Sequence, residues 1–382
     1  MKKLLILIIL LLSITIHAQE TDDTLPEINV ESHDGVSDGV IYIATLRRNL
    51  PDPNPAPRHL LIIDNEGNFV YHEPAQRVFN FGRASNGLRY YFQFTENGLG
   101  RGASNNGGWR MLDDEWNIVN EYTVQGDYPT QSHEFIYMDN GHVMLLSQPV
   151  IVTDLSEYGG SEEALVSHAL IQELDEENNV VWEWRSWEHV SLEDTSNLAE
   201  LETQPPDAVS YMHVNGFTID LDGNIILSAR RFDELIKIDY ETGDIIWRMG
   251  GIHSKNNQFE YIGDPLNGFT GQHHVQMLPN GNILLFDNGN AAEEHPARAV
   301  EYQIDEENLA ATLVWSFTDV DERSSGAMGS VQRLDNGNTL IGWGVAPPSG
   351  ANVTEVTADG EVVFTLALPL ELISYRVYRF DE

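Results

Sequence analysis

Short apolar runs separated by polar turns fill this chain, and one turn recurs. Asn-Gly or Asp-Gly precedes an apolar segment six times: Asp38-Gly39 before VIYIAT, Asn86-Gly87 before LRYYFQF, Asn140-Gly141 before HVMLLS, Asp222-Gly223 before NIILSA, Asn280-Gly281 before NILLFD, and Asn336-Gly337 before NTLIGW. These dipeptides supply the positive φ angles of tight hairpin turns. The six glycines are 48, 54, 82, 58 and 56 residues apart, a regular period with one insertion. A second turn-and-strand unit alternates with the first: DNEGNFVYH from Asp64, DDEWNIVNEY from Asp113, DEENNVVWEW from Asp175, YETGDIIWRM from Tyr240, DEENLAATLVW from Asp305 and TADGEVVFTL from Thr357. Two hairpins per period make four strands, and six such units predict an all-β, six-bladed β-propeller with four-stranded blades. A sandwich or jelly roll could hold as many strands but does not explain the alternation. Each Gly is expected in the hairpin joining the first two strands of its blade, and ring closure is expected to bring Ser374 to Phe380 beside Ile28 to Val30.

The fold accounts for several other regularities. Trp182, Trp247 and Trp315 hold equivalent places in the second hairpin and are expected to pack between blades. The turn aspartates lack the spaced acidic loop of a calcium site and read as turn formers. The proline-rich stretch from Pro51 to Pro57 reads as an extended loop. The long period splits into insertions at 153–168 and 186–210, and 251–272 is a third long connection.

Composition narrows the function. With 21 Lys+Arg against 60 Asp+Glu the formal charge is −39, which disfavours nucleic acid and anionic membranes as partners. The absence of cysteine excludes disulfides, thiolate metal sites and a thiol nucleophile. Lys2 and Lys3, the apolar run from Leu4 to Leu12 and Ile16-His17-Ala18 form the three-part pattern of a secretory signal peptide. Residues 1–18 are therefore expected to be removed, leaving 19–382 as a single propeller domain, exported to the periplasm or medium. The apolar run is too short to span a bilayer, and no later segment could. Loss of the two lysines takes the net charge from −39 to −41.

Candidate chemistry collects at one end of the expected channel. His133, His213 and His273 begin inner strands 8, 10 and 8 residues upstream of their turn glycines, and Arg230 ends the strand antiparallel to that of His213. The three imidazoles and the guanidinium should converge at one channel mouth. His274 alternates to the other side of its strand, His142, His168 and His189 follow no repeat position and read as surface, and the connections 186–210 and 251–272 should overhang the mouth as partial lids. No phosphate loop, nucleophile elbow or zinc helix is present.

His213-Val214-Asn215-Gly216, Leu227-Ser228-Ala229-Arg230, Trp247-Arg248-Met249-Gly250-Gly251, Gln272-His273, Phe286-Asp287-Asn288-Gly289 and Gly329-Ser330, with His133-Glu134-Phe135, together resemble the bacterial aryl-sulfate sulfotransferases. The resemblance covers most of the chain after residue 18. It implies transfer of a sulfuryl group from a phenolic sulfate ester to a phenol through a sulfohistidine, without a nucleotide donor or other cofactor. His213, His273, His133 and Arg230 are then the expected catalytic residues; Asn215, His274, Asn288, Arg298 and Ser330 are expected to contact substrate. Among the histidines His213 is favoured as nucleophile, because its blade also carries Arg230. Two other readings stand beside this one: a propeller that holds an aromatic or anionic ligand without turnover, and a metal bound by the three histidines. Sequence leaves the oligomeric state open.

Overall fold

A computed structural model describes residues 25–48, 58–95, 106–195, 198–289, 295–347 and 350–381. The expected signal segment and the proline-rich stretch lie outside the described residues. Six antiparallel sheets form the blades of a propeller. From the axis outward, blade one comprises Leu372–Phe380, Val40–Arg47, His59–Ile63 and Phe69–Pro74, and blade two Val78–Arg83, Arg89–Phe94, Gly107–Leu112 and Ile118–Tyr122. Blade three comprises Thr130–Tyr137, Val143–Ser147, Leu170–Leu174 and Val180–Arg185, and blade four Val214–Ile219, Ile225–Ala229, Glu234–Ile238 and Ile245–Gly250. Blade five comprises His273–Met277, Ile283–Asp287, Arg298–Asp305 and Ala310–Thr318, and blade six Ser330–Arg333, Thr339–Gly342, Val353–Val356 and Val362–Ala367. Inner strands of successive blades touch around the ring, and blade six returns to blade one.

Burial follows position within a blade. Second strands such as Ile225–Ala229 and Val143–Ser147 are buried at every residue, because both faces pack against neighbouring blades. Outer strands such as Ala310–Thr318 alternate half-buried and exposed residues along their second half. The three tryptophans lie between blades. The Trp182 indole stacks on Tyr240 and donates to its carbonyl at 2.6 Å, Trp315 donates to the Ala358 carbonyl at 3.0 Å, and Trp247 packs against Val275 and Ile283.

Five of the six turn glycines, 87, 141, 223, 281 and 337, sit at positive φ between the first and second strands of their blades. Gly39 differs. The strand that pairs with Val40–Arg47 on the axis side is the C-terminal one, with Val40 opposite Phe380. The chain is open where the other blades have a hairpin, and Gly39 instead lets two separate segments meet: a Cβ there would lie 2.4 Å from the Phe380 carbonyl oxygen. Ring closure is correspondingly double. Ser374 to Phe380 does close the ring, but its partner is Val40–Arg47, and Asn29–Ser32 adds a fifth strand to blade six by pairing with Val362–Ala367.

The insertions build outward. Val150–Thr153, Ala164–Ser167 and Ala208–Val209 form a small extra sheet, and Glu260–Ile262 adds a parallel strand to the edge of blade five. His168, expected at the surface, is 6% exposed. Its Nδ1 meets the Tyr211 hydroxyl at 3.2 Å, and burial lowers its pKa to about 4. His142 pairs with Glu173 at 2.6 Å and His189 stacks on Trp184, both half-buried. Among the described residues no helix is long and apolar enough to cross a membrane.

Candidate functional site

Eight residues before their turn glycines, blades two to six carry Phe79, His133, Asn215, His273 and Gly329 at equivalent positions. Blade four carries a bulge at Asn215. Just before it His213 adopts a left-handed backbone (φ 45°) and turns its ring to the same mouth. A cavity of about 820 Å³ opens there, lined by His133, His213, His273 and Arg230 together with Tyr375, Phe79, Phe94 and the 326–328 segment. The four residues expected to converge from sequence therefore line one cavity. The rings of His133 and His213 meet edge to face at 5.5 Å, and the backbone N–H of Arg230 donates to the His213 carbonyl at 3.1 Å.

The three imidazoles are held differently. His273 Nδ1 donates to Asn288 Oδ1 at 2.7 Å and faces the Gly271 carbonyl at 3.0 Å, so the lone pair resides on Nε2, which accepts the Met328 backbone N–H at 3.1 Å. His133 engages Gln131 Oε1 through Nδ1 at 3.2 Å. His213 makes no side-chain hydrogen bond among the described residues. All three are neutral near pH 7. Burial depresses the His213 pKa to about 4, with Arg230 adding to the effect. Burial pushes His273 well down, followed by the charge of Arg230 and by His213 and His133. Burial likewise lowers His133, helped by His213 and Arg376. His273 is thus the ring that senses all three of the other candidates. No group of three or more side chains placed to hold a metal ion occurs among the described residues.

Charge at the mouth opposes that of the chain. Arg47, Arg48, Arg58 and Arg230 all line the cavity, and no Asp or Glu does so among the described residues. Burial lowers the pKa of Arg230, and its Nη2 donates to the Gly326 carbonyl at 3.0 Å. The wall from blades one and two is apolar: Phe79 and Tyr375 stack at 4.4 Å, with Phe94, Leu46 and Ile373 beside them. Sequence reading missed this wall and the three arginines of blade one. A signal existed, because Arg47-Arg48 and Arg230-Arg231 close the second strands of blades one and four, 8 and 9 residues after Gly39 and 7 and 8 after Gly223.

The residues expected to contact substrate lie behind the cavity wall. Asn288 holds His273 and donates to the Ser325 and Met328 carbonyls at 3.1 and 2.9 Å, fixing the segment that roofs the site. Asn215 Nδ2 donates to the Gln272 carbonyl at 2.7 Å. His274 Nδ1 accepts the Val331 N–H at 3.1 Å, and Ser330 bonds the backbone of Val377. Arg298 is a correction: its guanidinium is buried between Asp264, with bonds of 3.0 and 2.9 Å, and Asp287 at 2.9 Å, so its charge is neutralised away from the cavity. The expected lids are a second correction. Neither 186–210 nor 251–272 contributes a lining residue among those described; the rim comes from blade one and from residues 326–328 and Val345.

Below the cavity the channel is plugged. Arg376 forms a two-pronged pair with Glu134 at 2.9 and 2.8 Å and also reaches the Asn215 carbonyl. Gly216 makes room for this pair, since a Cβ there would lie 3.1 Å from both Arg376 Nη2 and Glu134 Oε2.

The profile of the arylsulfotransferase family (ASST) matches residues 24–379. No curated protein matches the chain. Among solved structures, a Bacteroides caccae protein of unknown function is 10% identical with TM-score 0.54, covering 90% of this chain and all of its own. A Lactobacillus plantarum protein is 12% identical with TM-score 0.47, covering 88% and 82%. The β-propeller domain of Cps50 (Swd1) from Myceliophteria thermophila is 11% identical with TM-score 0.42, covering 88% of each chain. At such identities the likeness concerns the fold alone. The chain belongs to the arylsulfotransferase family, on the extent of the profile match.

Proposed function

We propose that this arylsulfotransferase-family propeller takes a sulfuryl group from an aryl sulfate onto His273 and passes it to a phenol, with no nucleotide and no cofactor. The observation that carries the reading is the His273 ring, oriented by Asn288 at a cavity that holds Arg230 and no described carboxylate, with an Nε2 lone pair that accepts the Met328 N–H and must be released from it to reach a substrate. A nucleophile oriented through its second nitrogen is pre-positioned for attack. His213, favoured by sequence, has no such orienting partner.

In the first half-reaction the Nε2 lone pair attacks sulfur, the sulfur–aryl oxygen bond breaks, and the phenolate leaves with the electron pair. Arg230 stabilises the charge on the sulfuryl oxygens and the leaving oxygen. The Met328 N–H, freed from Nε2, becomes a further donor to those oxygens. In the second half-reaction a phenol oxygen attacks sulfur, its proton passes to neutral His213, the sulfur–nitrogen bond breaks and the lone pair returns to Nε2. That proton balances the one the first phenolate takes up. The aromatic wall of Phe79 and Tyr375 supports the aryl ring in both halves. The N-terminal pattern around Lys2, Lys3 and Leu4 to Leu12 supports export to the periplasm or medium.

The test is turnover of 4-nitrophenyl sulfate with and without added phenol. The expected result is phenol-dependent release with parallel lines in double-reciprocal plots. Release independent of phenol makes the protein a hydrolase. Binding without release across a range of aryl sulfates makes it a non-catalytic anion-binding propeller. A second reading, sulfation of His213, is favoured by its half-buried ring at the cavity, with no hydrogen bond to either nitrogen among the described residues.

A further inference from the structure

Resting on the transfer reading, the structure assigns a second anion subsite to blade one, so that the preferred substrate is an aryl sulfate bearing a further negative group on its ring. Arg58 lines the cavity, and its side chain makes no hydrogen bond or ion pair among the described residues. Burial lowers its pKa, and the like charges of Arg47 and Arg77 add to the effect. Arg48 lines the same wall and is tied to blade six by its bond to the Ala346 carbonyl at 2.9 Å. Guanidinium groups gathered in a partly desolvated wall repel one another unless an anion answers them. In a chain with 60 acidic residues, the lack of any carboxylate in that lining among the described residues leaves the ligand to supply the charge.

Arg58 is the member of this cluster assigned apart from the sulfuryl site, since Arg48 reaches the rim segment that also holds Arg230. Blade one stands across the six-membered ring from blade four, which carries Arg230 and His213, and the stacked pair of Phe79 and Tyr375 belongs to blades one and two. An aryl ring against that pair, with its sulfuryl group toward His273, directs its far substituent toward Arg58. A cavity of about 820 Å³ suits a substituted aromatic better than bare phenyl sulfate. Planar guanidinium groups match carboxylate or sulfate as the second group.

The test is calorimetric binding of 4-sulfobenzoate against toluene-4-sulfonate, two sulfonates that cannot transfer their sulfur and differ only in the distal charge. Wild-type protein should bind the carboxylated probe at least about tenfold more tightly. Arg58→Gln should reduce that preference to about twofold or less, and Arg58→Lys, which keeps the charge, should retain most of it and control for folding. Equal affinities in the wild type, no binding of either probe, or a preference unchanged in Arg58→Gln would overturn the subsite. Turnover of 4-nitrophenyl sulfate measured alongside separates the two ideas: its absence sinks the transfer reading, and the sulfonate comparison still decides the subsite.

Discussion

The mouth of the channel and the plug beneath it use the same residue types to opposite ends. In the plug, Arg376 is gripped by both oxygens of Glu134; burial alone would depress its pKa, but Glu134 holds it well above the usual value. At the mouth, burial lowers the pKa of Arg230, Asp233 only partly offsets this, and no carboxylate joins it in the described lining. A guanidinium clamped by a carboxylate is a structural brace, whereas Arg230 borders a cavity whose described lining carries no carboxylate. Arg298, neutralised by Asp264 and Asp287, belongs with the brace.

Breaking the plug should have the largest effect on folding. Glu134→Gln strands the Arg376 charge and should cost about 3–5 kcal/mol in denaturant unfolding, whereas Arg230→Ala should change stability by less than about 1 kcal/mol. Equal losses would erase the distinction between the regions. Next in size is the response to anion: inorganic sulfate at a hundred times its dissociation constant should stabilise wild-type protein by about 2.7 kcal/mol, and should do little for Arg230→Ala. Gly216→Ala, which presses a methyl group against the Arg376–Glu134 pair, should cost about 1–3 kcal/mol by the same unfolding measurement.

The effect of pH is spread over a window. His213 has a folded pKa of about 4, below its ordinary 6.5, so the unfolded chain binds more protons between those values and stability should fall as pH drops through that window. Each such histidine contributes at most about 1.4 kcal/mol per pH unit. Bound sulfate favours the protonated ring, so its stabilising effect should be greater at pH 5 than at pH 8. Melting curves at the two pH values check this, and an equal effect would detach His213 from the anion site.

Much of the propeller was legible because its turns demand positive φ, and the Asn-Gly and Asp-Gly pairs meet that demand in order. Gly39 shows the limit: a residue that admits a hairpin also admits two unconnected strands, and only the pairing of Phe380 with Val40 tells them apart. His133, His213, His273 and Arg230 could be gathered because strand registers repeat. Arg298 could not be placed, since its partners Asp264 and Asp287 arrive from 34 and 11 residues away in sequence and sequence does not show that they close on it. The direction in which 186–210 and 251–272 lean depends on packing, as with Val190 and Leu201 in the core between blades three and four, and no local pattern reveals it.

The most direct measurement is the mass of the intact protein after brief exposure to 4-nitrophenyl sulfate without acceptor, followed by peptide mapping under neutral conditions. The account predicts a gain of one sulfuryl group, located on His273, lost on adding phenol and absent in His273→Ala. A sulfuryl group mapped to His213, or turnover that persists in His273→Ala, would contradict the assignment of the nucleophile. Full occupancy of the cavity by the aryl sulfate with no covalent gain would contradict the transfer reading itself.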